Sequence, residues 1–284
     1  MLTLLAADEI LSFDRPWFPG LAERLVGATL ATRGLAPLNY TTHGWLGVDV
    51  NAAIDARPND ALRPWLTPAP VDLQTSKAAL GLRFAGSPQA FGEALVRDAW
   101  ACLGGVPDVE RSVTALVLSI HPLQAAGAGY DVSHSDPELP CTIFLSLPVG
   151  EPHAVLRTAE SVLHEAMHLQ LTLIEAQAPL VRSSSSTLYS PWQQRDRPVS
   201  GVLHGVYVFA VIDAFMAERL AHGDLAPNDA AFAAKRREEI AEELEAAAGI
   251  MEHEDLTPFG KQFVAGLLSA RLRRQAPGRA SGGR

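Results

Sequence analysis

The sequence predicts an α+β fold, predominantly helical, with a small β-sheet beside one central helix. Three observations predict it. Ala- and Leu-rich stretches punctuated by Pro and Gly occupy most of the chain. Only two short runs, TALVLSI from Thr114 and TIFLSL from Thr142, read as strands. Between the second strand and the C-terminal third lies a segment, Thr158 to about Glu175, that is apolar on nearly every face. A helix of that kind is buried.

In chain order, Leu21–Leu35 and Gln89–Leu103 are the helices of an N-terminal part that extends to about residue 105. A metal-binding core over about 106–225 begins with the two strands, Thr114–Ile120 and Thr142–Leu147, the second ended by Pro148 and Gly150. The turn-rich stretch His121 to Pro140 reads as the loop between them, and the buried helix follows. Val181 to Ser200 has no periodicity and reads as a long functional loop, a lid over the site. Ser200, after Pro198, is placed to cap a helix that runs to about Ala221. C-terminal helices over about 226–274, Asn228–Glu252 and Pro258–Arg274, precede a Gly/Arg/Ser tail over 275–284 that is expected to be disordered. Nothing demands more than one catalytic domain over 1–284; residues 104–110 are the one weak candidate boundary.

The chemistry-bearing motif is His164-Glu165-Ala166-Met167-His168, an HExxH inside the buried helix. Positions i and i+4 differ by about 40° around a helix, so both imidazoles project from one face. Two neutral nitrogens at that spacing can close on one divalent cation. Three ionisable groups in one turn of an apolar helix are costly to bury without such a partner. Glu165 lies roughly 100° around, where a peptidase keeps the general base for metal-bound water. The third-ligand position of the HExxHxxGxxH pattern is excluded, since Leu171 and Ile174 stand where it needs Gly and His. His204 is the best remaining ligand, with Glu218 its rival, about 21 Å further along the same helix by rise per residue. Tyr207 shares the face of His204 and is a second catalytic candidate beside Glu165. His134 and Asp136 form an HxD, the opening of an iron triad on jelly-roll folds, but the eight strands of that fold are missing and a loop-capping role fits better. Spacing alone favours a zinc metallopeptidase.

The combination LHEAMH, then YSPWQQRDRP, then SGVLHGVYVF resembles the HEXXH-motif domain family of ribosomal-peptide maturation clusters. The resemblance is strongest over about residues 111–222. It implies an iron(II)- and 2-oxoglutarate-dependent peptide β-hydroxylase, with His164, His168 and His204 as iron ligands. Arg197, before Pro198, is then the candidate grip for the co-substrate carboxylate, with Arg195 the alternative because Gln193 stands where the family pattern has Arg. Glu165 becomes a residue that orients a ligand or water rather than a base. The implied substrate is a precursor peptide, and association with other peptide-maturation enzymes is a further expectation. The zinc peptidase with Glu165 as base stays open beside this reading.

Composition narrows the partners. The net charge is −9, and the stretch from Arg271 to Arg284 carries five Arg and no acid, so the rest of the chain stands at −14. An acidic body argues against nucleic acid, whose phosphates need a concentrated basic face. Two cysteines, Cys102 and Cys141, make neither a disulfide framework nor a metal clip. The opening MLTLLAADEILSFDRP lacks a basic region and is interrupted by Asp8 and Glu9, so it does not read as a signal peptide. The run Val206–Ile212 is too short for a membrane span. A cytoplasmic protein without membrane partners is the expectation.

Overall fold

A computed structural model describes residues 10–11, 16–32, 65–86, 90–127, 129–182 and 185–275. The helices are α1 (Pro19–Thr32), α2 (Val71–Lys77), α3 (Ala90–Gly104), α4 (Pro107–Leu116), α5 (Ala154–Gln177), α6 (Val199–His222), α7 (Pro227–Ala246) and α8 (Pro258–Gln275). The strands are β1 (Trp65–Leu66), β2 (Ser119–Leu123), β3 (Ser133–Ser135), β4 (Thr142–Ser146), β5 (Thr187–Ser190) and β6 (Arg195–Pro198). The predicted class, mostly helical α+β, is the observed one.

A four-stranded sheet has the order β1-β2-β4-β3. β1, β2 and β4 are parallel, while β3 runs antiparallel to β4 at the edge. Side chains alternate faces along a strand, so the register puts Ile120, Ile143, Leu145, Ser133 and Ser135 on one face and His121, Phe144 and His134 on the other. The first face packs on α5, whose Leu156, Val162, Leu163, Ala166, Leu171 and Ile174 are buried in the common core. α6 crosses that core with Val202, Leu203, Val206, Val211, Phe215 and Met216 buried.

Several local readings are corrected. The first strand begins at Ser119, because α4 takes the residues through Leu116. Pro107 starts that helix, Asp108 and Glu110 sit in its first turn, and Val109, Val113 and Leu116 are buried at helical spacing. The stretch read as a plain loop between the two strands contains the edge strand β3. Val181 to Ser200 is no unpatterned lid: it holds the hairpin β5–β6, in register from Thr187 opposite Pro198 to Ser190 opposite Arg195. Gln194, with φ 49°, adopts the left-handed conformation that the turn requires. Ser200 does not cap α6; the cap position is Pro198, without a side-chain bond. α7 buries Ala233, Ile240 and Leu244 against its neighbours. By length and composition α6 is apolar enough to cross a membrane, but most of its apolar stretch is buried inside the fold, as in a core helix. The tail over 276–284 and the end of the first predicted helix beyond Thr32 lie outside the described residues.

Candidate metal site

α5 carries His164 and His168 on one face, and their Nε2 atoms stand 3.1 Å apart. Two imidazole nitrogens that each lie about 2.1 Å from one ion are about 3.0–3.4 Å apart for right-angled to tetrahedral geometry. The pair therefore has the spacing of two ligands to one first-row cation. Burial, then the charge of Arg236, pushes the pKa of His164 down to about 4. Burial and the neighbouring His164 push that of His168 down to about 3. Both rings are neutral at physiological pH, the form that binds a metal.

His204 arrives from the second turn of α6. Its ring lies edge to edge with that of His168 and nearly in the same plane, centroids 5.3 Å apart and planes within 16°. The contact is Nδ1 to Nδ1 at 3.0 Å, on the edge of His168 opposite the one that meets His164. The three imidazoles thus form a row rather than a ring around one point. Among the described residues, no three His, Cys, Asp or Glu side chains are already grouped to hold an ion. The Nε2 of His204 faces Oε2 of Glu175 at 2.9 Å. Glu175 was not foreseen, yet it lies on the face of α5 that carries His164 and His168, at i, i+4 and i+11. That spacing was the available signal.

Glu165 is buried, with 3% exposure. Its two carboxylate oxygens accept hydrogen bonds from the hydroxyls of Ser133 and Ser135, each 2.6 Å long. The two serines sit two apart on β3 and so share the face that meets α5. The carboxylate thereby fastens the HExxH helix to the edge of the sheet.

The second catalytic candidate goes elsewhere. Tyr207 is wholly buried; its hydroxyl donates to the carbonyl of Pro16 and receives the side-chain amide of Gln170. Its ring packs beside Phe263, and burial raises its pKa. It is a core residue rather than one that faces the imidazoles. The HxD pair also divides. His134 lies against Phe144 on the sheet face away from α5. Asp136 pairs with Lys77 and accepts the backbone N–H of Glu138 at 2.8 Å, the loop-capping turn expected of it.

One wall of the site is aromatic. Phe209 meets His164 edge-on at 5.3 Å and stacks flat on Trp192 at 5.0 Å. Trp192, from the hairpin turn, donates its indole N–H to Glu243 at 3.0 Å. It lies so close to α6 that a Cβ on Gly205 would fall 2.4 Å from its ring. Behind Phe209 the guanidinium of Arg236 sits 5.2 Å from the ring centre and donates to Glu160 at 2.8 Å. Burial raises the pKa of Glu160 despite that partner. Of the two loop arginines, Arg195 is exposed and Arg197 half-buried. Arg197 lies against the first turn of α6, its Nη2 3.5 Å from where a Cβ on Gly201 would be, one turn before His204.

No protein-family model matches the chain, and none of the curated proteins is significantly similar to it.

Proposed function

We propose that this chain is an iron(II)- and 2-oxoglutarate-dependent oxygenase that hydroxylates a side-chain β-carbon of a ribosomally made precursor peptide. The observation that supports it over a zinc peptidase is the state of Glu165. A general base needs a carboxylate oxygen directed at the reacting water; each oxygen of Glu165 already accepts from a serine, and Oε1, 3.9 Å from Nε2 of His164, keeps only its second lone pair for such a water. An oxygenase has no such requirement. The resemblance of LHEAMH, YSPWQQRDRP and SGVLHGVYVF supplies the substrate class and the metal.

His164 and His168 would hold the ion; His204, the third ligand that the resemblance implies, meets the other nitrogen of His168 and would have to turn to join them. When bound, iron(II) with 2-oxoglutarate and dioxygen converts a C–H to C–OH and releases succinate and carbon dioxide. The chain's own residues do the rest. Glu165, Ser133 and Ser135 keep α5 in place against the sheet, and Phe209 and Trp192 give the site an apolar wall that excludes water. Arg197 takes the distal carboxylate of the co-substrate, for which a planar guanidinium offers paired donors.

The test is a 2-oxoglutarate-to-succinate assay on anaerobically purified, iron-loaded protein, with and without peptides encoded beside its gene. Turnover coupled to a mass gain of one oxygen on the peptide is expected. Arg197→Ala raises the 2-oxoglutarate requirement steeply, by analogy with the about 3–5 kcal/mol of a broken buried ion pair, while metal binding survives. Peptide-bond cleavage that vanishes in Glu165→Gln would overturn the proposal in favour of the peptidase.

A further inference from the structure

We propose that the outer edge of β3 is the docking strand for the substrate: an extended segment of the precursor peptide adds to the sheet beside the HExxH helix, hydrogen-bonded to the backbone of Ser133 and Ser135. This rests on the reading of the chain as one that acts on a peptide, and not on the metal or on the oxidation chemistry.

The hydrogen-bond phase of the sheet carries it. In an antiparallel pair, residues that exchange N–H···O bonds with the partner strand alternate with residues whose N–H and C=O point away from it. The N–H of Ser146 donates to the carbonyl of Val132 at 2.8 Å, which makes these two a bonded pair. Two residues along the register, His134 and Phe144 are the next bonded pair. Ser133 and Ser135 therefore direct their N–H and C=O outward. β3 is the last strand of its sheet, and among the described residues no other backbone group meets those of Ser133 or Ser135. Both residues keep part of their surface in solvent.

The side chains of the same two serines show how so short a strand is held. Three polar residues have little to fix them beyond one neighbouring strand, yet both hydroxyls bond to Glu165 on α5 at 2.6 Å. That anchor leaves the backbone edge free and in place, which lowers the ordering cost of binding. It also sets the edge beside the metal site. Ser133 Oγ meets Oε1 of Glu165, and that oxygen lies 3.9 Å from Nε2 of His164. A peptide laid along β3 alternates its side chains between faces, so every second residue is turned to the α5 side, where the imidazoles are. Main-chain pairing of this kind gives affinity with little demand on sequence, and pockets for alternate side chains add selectivity. The outward groups of Ser133 and Ser135 suffice to register an extended peptide, while an edge of three residues is too short to carry a stable interface with a second copy.

Backbone hydrogen exchange reads the docking directly, on protein as isolated and without 2-oxoglutarate, so that no turnover occurs. The probe is a synthetic peptide with the core sequence of the precursor encoded beside the gene. In the free protein the amide of His134 is expected to be protected and those of Ser133 and Ser135 to exchange fast. Peptide at about ten times its Kd should slow both serine amides about tenfold and leave His134 unchanged. Ser135→Pro and Ser135→Ala both lose the hydroxyl, but only the first loses the outward N–H, at a position where an edge strand tolerates proline. The Kd of the labelled peptide, read by fluorescence anisotropy, should be about 5–100-fold higher in Ser135→Pro than in Ser135→Ala. A peptide that binds without slowing Ser133 and Ser135, or with equal affinity for the two variants, overturns the proposal. So does a peptide that does not bind, or protection of these amides in the free protein that grows with its concentration and marks a second copy on the edge. The wild-type exchange result decides the matter even if Ser135→Pro does not fold. Protection without hydroxylation by the iron-loaded protein would sink the oxygenase reading and leave the docking strand standing; hydroxylation without protection would do the reverse.

Discussion

Removing the two serine hydroxyls from Glu165 tests the observation on which the functional reading turns. Each bond is 2.6 Å long, and the carboxylate they serve is almost wholly out of water. A hydrogen bond to a charged group is worth about 1.5–3 kcal/mol. Ser133→Ala or Ser135→Ala alone should therefore destabilise the protein by that amount, and the pair by about 3–6 kcal/mol. The Glu165→Gln background supplies the control. A neutral amide accepts from one serine and donates to the other, since a hydroxyl does either. There each serine deletion should cost only about 0.5–1.5 kcal/mol, so the double-mutant cycle should show a coupling of about 1 kcal/mol or more. Urea unfolding of chelator-treated protein at neutral pH, followed by circular dichroism, measures all the corners. If the double deletion costs under about 0.5 kcal/mol, or costs the same with Glu and Gln at 165, the carboxylate is not held by β3. Glu165 would then be available as a base, and the case against the peptidase would lapse.

Three further outcomes follow from other parts of the site. His164 and His168 have folded pKa values of about 4 and about 3, below their ordinary 6.5. The stability they contribute is whole above about pH 6.5 and is lost as pH falls, because the unfolded chain then takes up protons the folded one refuses. The slope approaches about 2.7 kcal/mol per pH unit for two groups, and a urea midpoint that stays level from pH 7 to 5 would contradict it. Arg236→Met leaves the half-buried Glu160 without its partner and should cost about 1–3 kcal/mol. Adding Glu160→Leu should recover most of that, and an additive double variant would refute the pairing. Gly205→Ala drives a methyl into Trp192, whose ring is pinned between Phe209 and Glu243. Overpacking of about 1–3 kcal/mol exceeds the helix-propensity gain of up to about 1 kcal/mol; a thermally stabilised variant with unchanged tryptophan emission would refute the contact.

What was legible in the sequence was what neighbouring residues decide among themselves. The HExxH helix, its burial and the shared face of His164 and His168 follow from a period of 3.6 residues. The same periodicity set His204 in the first turns of the next long helix, and the rings do meet. Elements defined by pairing were harder. β3 is three residues long, and only its partner β4 makes it a strand. The hairpin β5–β6 is likewise polar and has no run of strand-forming residues.

The roles were decided by tertiary structure. Glu165 differs between base and anchor according to which side chains reach it, and Ser133 and Ser135 reach it across about thirty residues of chain. Tyr207 shares a helix face with His204, yet a helix of α6's length touches several neighbours, and the tyrosine meets Gln170 and Pro16 instead of the site. Arg236, which bears on His164 from α7, sits in a charged stretch that reads as solvated surface until Glu160 and Phe209 are placed beside it. Spacing along a helix reports direction around its axis; it carries no information about which distant segment the packing brings to that side.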